Sequence, residues 1–490
     1  MLESLPLPSP HVNRLTDASD ATTDVLIVGV SAKQESSVTL DRINKAGDGW
    51  IDRLRNRNAI SSKRGKVNKL IPAVSDAPPV VLLIGIGDDT RNSRVAAFEL
   101  AATAIRAINN NSLARVDIAL GEDFDPSTHD ALVAGAISAC ENLAIYHSDP
   151  SVHVPEAIHF SGISQDAIDR GQIIGNAIIQ TRRLVNEPAG VIYPESFAAR
   201  ASEVAEKSGL SIEVWDEKKL EAEGCRAILA VGAGSARPPR IVILRHQGGG
   251  DEAPLAIVGK GVTFDSGGLS IKPGDGMVNM KCDMAGAATV LGVMQAVAQL
   301  GVKRNIIGVC GLAENMISGT SYKLGDVIKT RNGKTIEILN TDAEGRVVLA
   351  DTLDVTVENA PSSIVDLATL TGACMVALGT EVAGLMTNNQ PLCDAVSQAA
   401  NEEGEPVWQL PMFDLYDEKV KSKVADIKNV GEGRWGGAIT AAKFLENFVG
   451  DTPWLHIDIA GPAFDDSSKP HRDAGASGVM VRTLLNWVQS

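Results

Sequence analysis

The heptapeptide Asn340-Thr-Asp-Ala-Glu-Gly-Arg346 follows an apolar strand candidate, residues 336–339, and precedes a helix-like run that begins near Val347. A strand, a short polar turn and a helix in succession form the repeating unit of α/β folds. In extended geometry residues two apart point the same way, so Asp342 and Glu344 would share one side of the strand end. Two carboxylates held together repel unless a cation or a proton lies between them. The heptapeptide therefore indicates both a fold class and a charged site.

Apolar segments typical of buried strands alternate with helix-like segments along the rest of the chain. Short apolar strands that alternate with helices indicate largely parallel sheets. The sequence therefore predicts an α/β protein of two domains, each a mostly parallel or mixed sheet flanked by helices. The strand candidates are 25–30, 80–85, 116–119, 241–244, 255–258, 305–310, 336–339, 364–367 and 455–458, and the helix candidates are 94–108, 166–186 and 285–300.

The border between the two domains is predicted where the alternation weakens, between residues 150 and 170. A helix candidate begins there near Asp166 and should end at Asn186, because Pro188 disfavours helical geometry in the residue before it. We predict a non-catalytic N-terminal domain with a role in oligomerisation over residues 1–166. A larger catalytic C-terminal domain is predicted over residues 167–490. A chain of 490 residues is long enough for two cores.

The composition restricts the partners and the compartment. With 45 basic and 61 acidic side chains the formal charge is -16. A net negative charge disfavours binding to nucleic acid and to anionic membranes, although a local basic patch such as Arg53 to Arg64 could still attract them. The six cysteines show no CxxC spacing, so we expect buried reduced thiols. No stretch reaches the roughly 18 apolar residues of a membrane span, and we expect a cytoplasmic protein.

Further charged residues lie at the ends of predicted strands. Lys260, Asp342 and Thr369 each follow a strand candidate, and ligand sites of open α/β sheets lie beyond the carboxyl ends of strands. Alone, Asp265 is more simply a turn residue, and Asp283, just before a helix candidate, a helix cap. Four carboxylates with a lysine and an arginine equally suit a site for magnesium, manganese or zinc, and could bridge two ions. The residues by themselves leave both interpretations open.

Other catalytic chemistries find less support in the sequence. The eight histidines are scattered without an HExxH pair, and His456 in its apolar strand candidate is expected to be a core residue. No GxSxG elbow is present, and the glycine runs lack the spacing of a phosphate loop or a dinucleotide fingerprint.

The heptapeptide matches in full the signature of the leucyl (cytosol) aminopeptidases, a family of two-metal metallopeptidases, and the chain resembles that family over essentially all of its second domain. The further matching stretches are Asn186-Glu-Pro188, Gly234-Ser235, Pro238-Pro-Arg240, Lys260-Gly-Val-Thr-Phe-Asp-Ser-Gly-Gly268, Ile271-Lys-Pro273, Met280-Lys-Cys-Asp-Met284, Leu367-Ala-Thr-Leu-Thr-Gly372, Ala425-Asp426, Gly436-Gly-Ala-Ile-Thr440 and Asp458-Ile-Ala-Gly461.

The resemblance implies a role for each matching site residue. One metal would be held by Lys260, Asp265, Asp283 and Glu344, and the second by Asp265, Asp342 and Glu344. A lysine binds a metal only when it is neutral, and two dications plus burial would lower its pKa. Lys272 and Arg346 would be catalytic without binding metal. Lys272 would stabilise the developing oxyanion, and Arg346, at a predicted helix start, would hold a bicarbonate that transfers the proton.

The resemblance also implies the substrate, the cofactors and the assembly. Two divalent ions per subunit are expected, Mn²⁺ or Zn²⁺, with Mg²⁺ or Co²⁺ as alternatives, and the substrates would be peptides with a leucine-like N-terminal residue. A homohexamer is implied, and a moonlighting role on nucleic acid, known for some relatives, is the alternative function. The side-chain pocket would be lined by Met280, Asn340, Thr369, Gly372 and Ala460, with Leu370 accepting a hydrogen bond through its carbonyl.

The chain departs from the family pattern at two places. Tyr322-Lys-Leu-Gly325 stands where Arg-Pro-Gly is common, and Ala285 stands where glycine is frequent. Neither position is a proposed ligand, so the departures bear on fine specificity rather than on activity.

Overall fold

The computed structural model describes residues 5–15, 22–31, 37–72, 78–88, 90–149 and 152–490. These residues form two compact units. The N-terminal unit comprises Leu5–Ile179 with Asp466–Gly475, and the C-terminal unit comprises, among the described residues, Gln180–Asp465 with Ala476–Ser490. Both are sheets flanked by helices, so the predicted fold class is confirmed.

The N-terminal unit is built on a six-stranded sheet. Its strands are β1 (His11–Leu15), β2 (Val25–Val30), β3 (Val67–Leu70), β4 (Val80–Gly85), β5 (Arg115–Ala119) and β6 (Ala157–Ser161). Their order is β1-β6-β5-β2-β4-β3, and each neighbouring pair is parallel except β3 with β4. Every residue of β2 is buried, as expected for an apolar strand covered on both faces.

The helices of this unit follow the predicted alternation. Helix α5 runs on into the C-terminal unit and ends at Asn186, directly before Glu187-Pro188, as predicted. The helices are α1 (Val38–Ala46), α2 (Trp50–Asn56), α3 (Arg94–Arg106), α4 (His129–Ser138) and α5 (Gln165–Asn186).

The C-terminal unit contains a mixed sheet of eight strands. Eight of the strands after β6 form this sheet, and the others form two smaller sheets. These strands are β7 (Ser211–Trp215), β8 (Arg240–Gln247), β9 (Leu255–Asp265), β10 (Asn305–Asn315), β11 (Val327–Lys329), β12 (Thr335–Glu337), β13 (Ser363–Ala368), β14 (Ala383–Thr387), β15 (Val407–Gln409), β16 (Ile427–Lys428), β17 (Trp454–Asp458), β18 (Phe464–Asp465) and β19 (Gly475–Ala476). The large sheet has the order β15-β14-β17-β13-β9-β10-β8-β7, and its central strands β17, β13, β9 and β10 are mutually parallel.

Two helices position the site on this sheet. Helices α10 and α11 both contact the central strand β9, and Asp283 lies just before α10 whereas Glu344 begins α11. The helices are α6 (Pro194–Ser208), α7 (Glu217–Ala222), α8 (Arg226–Gly232), α9 (Gly274–Met277), α10 (Ala285–Gln299), α11 (Glu344–Glu358), α12 (Gly372–Leu378), α13 (Gln390–Glu403), α14 (Asp417–Val420), α15 (Gly437–Glu446) and α16 (Val481–Gln489).

Several of the strand predictions were wrong in extent, and strands β8 and β10 run on to Gln247 and Asn315, beyond the predicted ends at residues 244 and 310. Strand β9 continues from residue 258 to Asp265, so Lys260 lies inside a strand rather than after one. Glycine is a poor strand former in isolation, but at residue 259 the helix and strand backbones pack so closely that a Cβ would lie 2.6 Å from Ala287 Cα. Strand β12 ends at Glu337 and belongs to a separate small sheet of order β11-β12-β16.

The expectations for cysteines and membrane segments can be compared directly with the structure. All six cysteines are free and buried, as predicted. In the part of the chain that the structure describes, no helix is both long enough and apolar enough to cross a bilayer.

Candidate active site

Lys260 lies at the centre of the predicted site. Its side chain is 3% exposed, and its Nζ lies 2.7 Å from Asp283 Oδ1 and 2.9 Å from Glu344 Oε1. The same Nζ donates a hydrogen bond of 2.9 Å to the carbonyl of Thr369. Burial by itself would lower the pKa of Lys260, but the carboxylates of Asp283, Glu344 and Asp265 outweigh it and the pKa is raised. The predicted convergence of residues 260 and 369 is therefore observed.

Asp283 does not cap a helix. It lies in a 3-10 helix, Met280–Met284, and the N-cap of α10 is Met284. Its Oδ1 accepts hydrogen bonds from Lys260 Nζ and from Thr369 Oγ1, both at 2.7 Å. Its Oδ2 is buried without a hydrogen-bond partner among the described residues. Burial raises the pKa of Asp283 well above its usual range, and an unpartnered buried carboxylate oxygen is a donor atom available to a cation.

The heptapeptide adopts a turn followed directly by a helix. Asp342 N donates to Asn340 Oδ1 at 2.9 Å and Ala343 N to Asn340 O at 3.3 Å. Glu344 is the first residue of α11, so the expected extended geometry of the 342–344 pair was wrong. The two carboxylates still come together, because the turn places Asp342 beside the start of α11, and their oxygens lie within 4.8 Å of each other.

Lys272 joins two of the predicted ligands. Its Nζ lies 2.8 Å from Asp265 Oδ2 and 2.7 Å from Asp342 Oδ1. Its backbone N–H donates to Ser266 O at 3.0 Å, which ties the 266–272 loop into a compact turn. Burial opposes the charged form, but the two carboxylates raise the pKa of Lys272 above its usual value.

The residues present fit a divalent-metal centre. Asp265, Asp342 and Glu344 each offer a carboxylate oxygen, and the three oxygens lie within 4.8 Å of one another. Burial and the like charge of the neighbouring Glu344 raise the pKa of Asp265. With Asp283 the cluster has four carboxylates, an oxygen-rich donor set that divalent cations prefer.

Two residues that the sequence interpretation missed hold this cluster in place. Asn315 ends β10 directly beside Asp265 in the parallel register, and its Nδ2 donates to Asp265 Oδ1 at 2.8 Å and to Thr341 O at 3.0 Å. Tyr322, one of the departures from the family pattern, donates its hydroxyl to the same carbonyl at 2.9 Å. Neither residue could have been found from the predicted strands, because the strand candidates 255–258 and 305–310 end before Asp265 and Asn315, and the contact depends on the register of the longer strands.

Arg346 is a buried cation in the first turn of α11. Within the described ranges it forms no ion pair, and its Nε has no hydrogen-bond partner. Burial lowers the pKa of Arg346 to about 10, although the charges of Glu344 and Asp458 act in the opposite direction. An ordinary surface salt bridge, the simpler expectation for an arginine, is therefore not what the structure shows. A buried guanidinium near a helix N-terminus favours an anion.

The predicted pocket residues lie on four segments of the chain, two of which follow the neighbouring strands β13 and β17. Met280 begins the 3-10 helix that carries Asp283, and Asn340 begins the turn of the heptapeptide. The other four lie after β13 and β17: Thr369 and Leu370 follow β13, Gly372 begins α12, and Ala460 follows β17. Gly372 is exposed and the other five are partly exposed.

Comparison with protein-family models agrees with this geometry over both units. Residues 179–485 match the model described as "Cytosol aminopeptidase family, catalytic domain", and residues 27–150 match the model of the N-terminal domain of the same family. The chain belongs to the cytosol aminopeptidase family. Membership indicates an aminopeptidase, a hydrolase that acts on peptides, and confirms the resemblance first seen in the heptapeptide.

Relatives within the cytosol aminopeptidase family cover nearly the whole chain. A "Probable cytosol aminopeptidase" of Rhodopirellula baltica is 59% identical over 100% of this chain and 98% of its own length. One of Gluconobacter oxydans is 41% identical over 96% of each chain. A solved structure of the bottromycin maturation enzyme BotP in complex with Mn is 33% identical, with a TM-score of 0.85, and the alignment covers 96% of this chain and 99% of that one.

Proposed function

We propose that this member of the cytosol aminopeptidase family removes leucine-like N-terminal residues from peptides with two divalent metal ions. The observation that carries the proposal is the buried cluster in which Asp265, Asp342 and Glu344 present oxygens within 4.8 Å of one another. Two lysines and a buried arginine surround it. The complex of BotP with Mn shows that a protein of this fold and 33% identity accommodates such an ion.

The donor set suggests how the ions would be divided. Lys260, Asp265, Asp283 and Glu344 would hold one, and Asp265, Asp342 and Glu344 the other, so that Asp265 and Glu344 bridge the two. When bound, such ions supply Lewis-acid chemistry, activating water and polarising the scissile carbonyl. The ions would be Mn²⁺ or Zn²⁺, with Mg²⁺ or Co²⁺ as alternatives.

Lys272 would act on the substrate rather than on the metal. Its Nζ lies between Asp265 and Asp342, and its side chain is 18% exposed, so the ammonium can reach a bound peptide. An ammonium directed at the scissile carbonyl stabilises the negative charge that develops on its oxygen. Lys272 thereby favours the transition state over the ground state.

Arg346 would hold a bicarbonate as the proton-transfer group. Its guanidinium is buried, and among the described residues it forms no ion pair and its Nε has no hydrogen-bond partner. A small oxyanion would satisfy the unpartnered donors and could accept a proton from the attacking water.

The decisive test is hydrolysis of leucine amide and leucine p-nitroanilide before and after removal of metal. We expect EDTA to abolish hydrolysis and added Mn²⁺ or Zn²⁺ to restore it. Asp283→Asn should bind less metal by elemental analysis, whereas Asp326→Asn, at a half-exposed surface pair with Lys323, should bind as much as the wild type. Undiminished activity in exhaustively chelated, metal-free protein would refute the proposal.

We further propose a cytoplasmic homohexamer, to which the N-terminal unit contributes. Large apolar side chains exposed on the C-terminal unit, such as Trp435 at 74% and Trp408 at 66%, support burial against other copies. Light scattering coupled to size-exclusion chromatography would give the mass of the assembly, and a monomer at micromolar concentration would contradict a hexamer.

A nucleic-acid role is the weaker alternative. The basic segment that could have supported it is partly neutralised, because Arg53 lies 3.6 Å from Asp48 and Arg64 lies 2.7 Å from Glu99. A gel-shift assay at physiological salt should therefore show no sequence-specific complex.

A further inference from the structure

Asp458 is a buried carboxylate at the end of β17 that has no role in the proposed metal centre. Its side chain is fully buried. Its Oδ2 accepts a hydrogen bond of 2.7 Å from Thr371 Oγ1. Its Oδ1 accepts from three backbone N–H groups, those of Leu370 at 3.3 Å, Thr371 at 3.4 Å and Ala460 at 3.1 Å.

These donors belong to two separate segments of the predicted substrate pocket. Leu370 and Thr371 lie between β13 and α12, whereas Ala460 follows β17. A single carboxylate that accepts from both segments fixes their spacing. Three backbone N–H groups and the Thr371 hydroxyl donate to this one carboxylate, so four hydrogen bonds hold the two segments together.

Thr371 extends the constraint to the start of helix α12. It is the N-cap of that helix, and its Oγ1 accepts from Cys374 N at 3.0 Å while donating to Asp458. Gly372, the first helical residue, is exposed and has no neighbouring atom within 4 Å of the place a Cβ would occupy. The side chain of Thr371 thus connects the carboxylate to the open part of the pocket.

The charge of Asp458 also acts on Arg346. Its negative charge is one of the two that oppose the effect of burial on the pKa of Arg346, the other being Glu344. The same carboxylate therefore accepts hydrogen bonds from the pocket segments and acts through its charge on Arg346.

We infer that Asp458 is a positioning residue that sets the selectivity for the N-terminal side chain of the substrate, by holding Leu370, the N-terminus of α12 and Ala460 at fixed spacing. The inference rests on the proposed aminopeptidase function and adds to it a residue outside the metal and catalytic set. Loss of the constraint loosens the pocket wall, so a large side chain loses more binding than a small one.

The test compares kcat and KM for leucine amide and alanine amide in Mn²⁺-loaded enzyme. Thr371→Val removes the hydroxyl that Asp458 accepts from, and Asp458→Asn removes the charge. In both variants we expect KM for leucine amide to rise roughly tenfold and the preference for leucine over alanine to fall by a similar factor, at unchanged metal content. Thr371→Ser keeps the hydroxyl and should retain the wild-type preference.

Asp366→Asn is the matched control for a purely structural effect. Asp366 is an equally buried carboxylate on the neighbouring strand β13, where it accepts from Trp454 Nε1 at 2.6 Å and pairs with His456 Nδ1 at 2.7 Å. Its variant should melt at a lower temperature but keep the preference for leucine.

Each outcome decides the inference. Thr371→Val and Asp458→Asn could behave like the control, with a lower melting temperature but an unchanged KM for leucine amide and an unchanged preference for leucine. In that case Asp458 is only structural and the inference is wrong. Should Asp458→Asn fail to fold, Thr371→Val against Thr371→Ser decides alone. If the Mn²⁺-loaded wild-type enzyme hydrolyses neither amide, the proposed function is wrong and the inference falls with it. A defect that is confined to the variants leaves the proposed function standing.

Discussion

Lys260 crosses the backbone of Gly345 so closely that a Cβ atom at position 345 would lie 2.6 Å from Lys260 Nζ. Real Cβ atoms do not approach neighbouring atoms to that distance, so only glycine permits the contact. Gly345 is the second residue of α11, between the proposed ligand Glu344 and Arg346. The glycine of the heptapeptide is therefore required by a lysine 85 positions earlier in the chain.

Gly345→Ala should displace the Lys260 ammonium without unfolding the protein, because the obstructed atoms are the far end of a flexible side chain. A displacement of about 1 Å costs on the order of a hundredfold in turnover. The melting temperature should change little, because alanine favours a helix by about 0.5–1 kcal/mol relative to glycine, which offsets the cost of displacing the lysine side chain. Leucine p-nitroanilide hydrolysis, metal content and thermal melting measure the three effects.

Gly190→Ala is the control for this substitution, because nothing lies within 4 Å of the Cβ it would add. It should keep full activity. Equal activity in Gly345→Ala and the wild type would show that the position of Lys260 is unimportant to the reaction.

Lys272→Ala should lower kcat by roughly two to four powers of ten, the effect of losing an oxyanion donor. Metal content should be retained, because Lys272 is not a proposed ligand. Lys323→Ala, at a lysine whose side chain is 64% exposed, should leave kcat unchanged. If metal content collapses together with kcat in Lys272→Ala, the division between ligand and catalytic lysines is wrong.

Arg346→Lys should lower kcat about tenfold to a hundredfold, because a lysine offers a point charge in place of a planar, bidentate donor. Added bicarbonate should stimulate bicarbonate-depleted wild-type enzyme and have less effect on the variant. The rate as a function of bicarbonate concentration, at constant pH and ionic strength, measures this. A wild-type rate that is independent of bicarbonate would exclude the proposed proton-transfer group.

Asp123→Asn should stabilise the N-terminal unit at alkaline but not at acidic pH. Burial, followed by the charge of Glu122, raises the pKa of Asp123 from 3.8 to about 7. Between these values the unfolded chain has released the proton while the folded one holds it, so stability falls as pH rises from about 4 to about 7. Above pH 7 the buried charge of Asp123 lowers the free energy of unfolding by at most on the order of 4 kcal/mol. An asparagine carries no such charge and avoids this cost.

Thermal melting of the wild type and the variant at pH 5 and pH 8 measures this difference. Asp125→Asn is the control, because hydrogen bonds from Ser127 lower the pKa of that exposed carboxylate. The melting temperature of Asp125→Asn at pH 8 should not exceed that of the wild type. Equal shifts in both variants would mean that Asp123 titrates normally in the folded protein.

Much of the fold follows from local sequence pattern. The apolar run 25–30 forms a strand with the predicted bounds, and α5 ends at Asn186, just before Pro188. Side-chain hydrophobicity and proline geometry both act over only a few positions of the chain. The seven-residue signature likewise identified the family that the family models confirm. These features need no knowledge of distant contacts.

Only the tertiary structure decided which groups meet. No local rule predicts that β9 continues through Lys260 to Asp265, or that Asp283 faces Lys260 rather than capping α10. Asn315 beside Asp265 depends on strand register, and the burial of Arg346 without an ion pair among the described residues depends on how α11 packs. The sequence by itself determined the fold class, the family and the residue types of the site. Burial, register and the close approach of Lys260 to Gly345 arise only when segments far apart in the chain exclude water together.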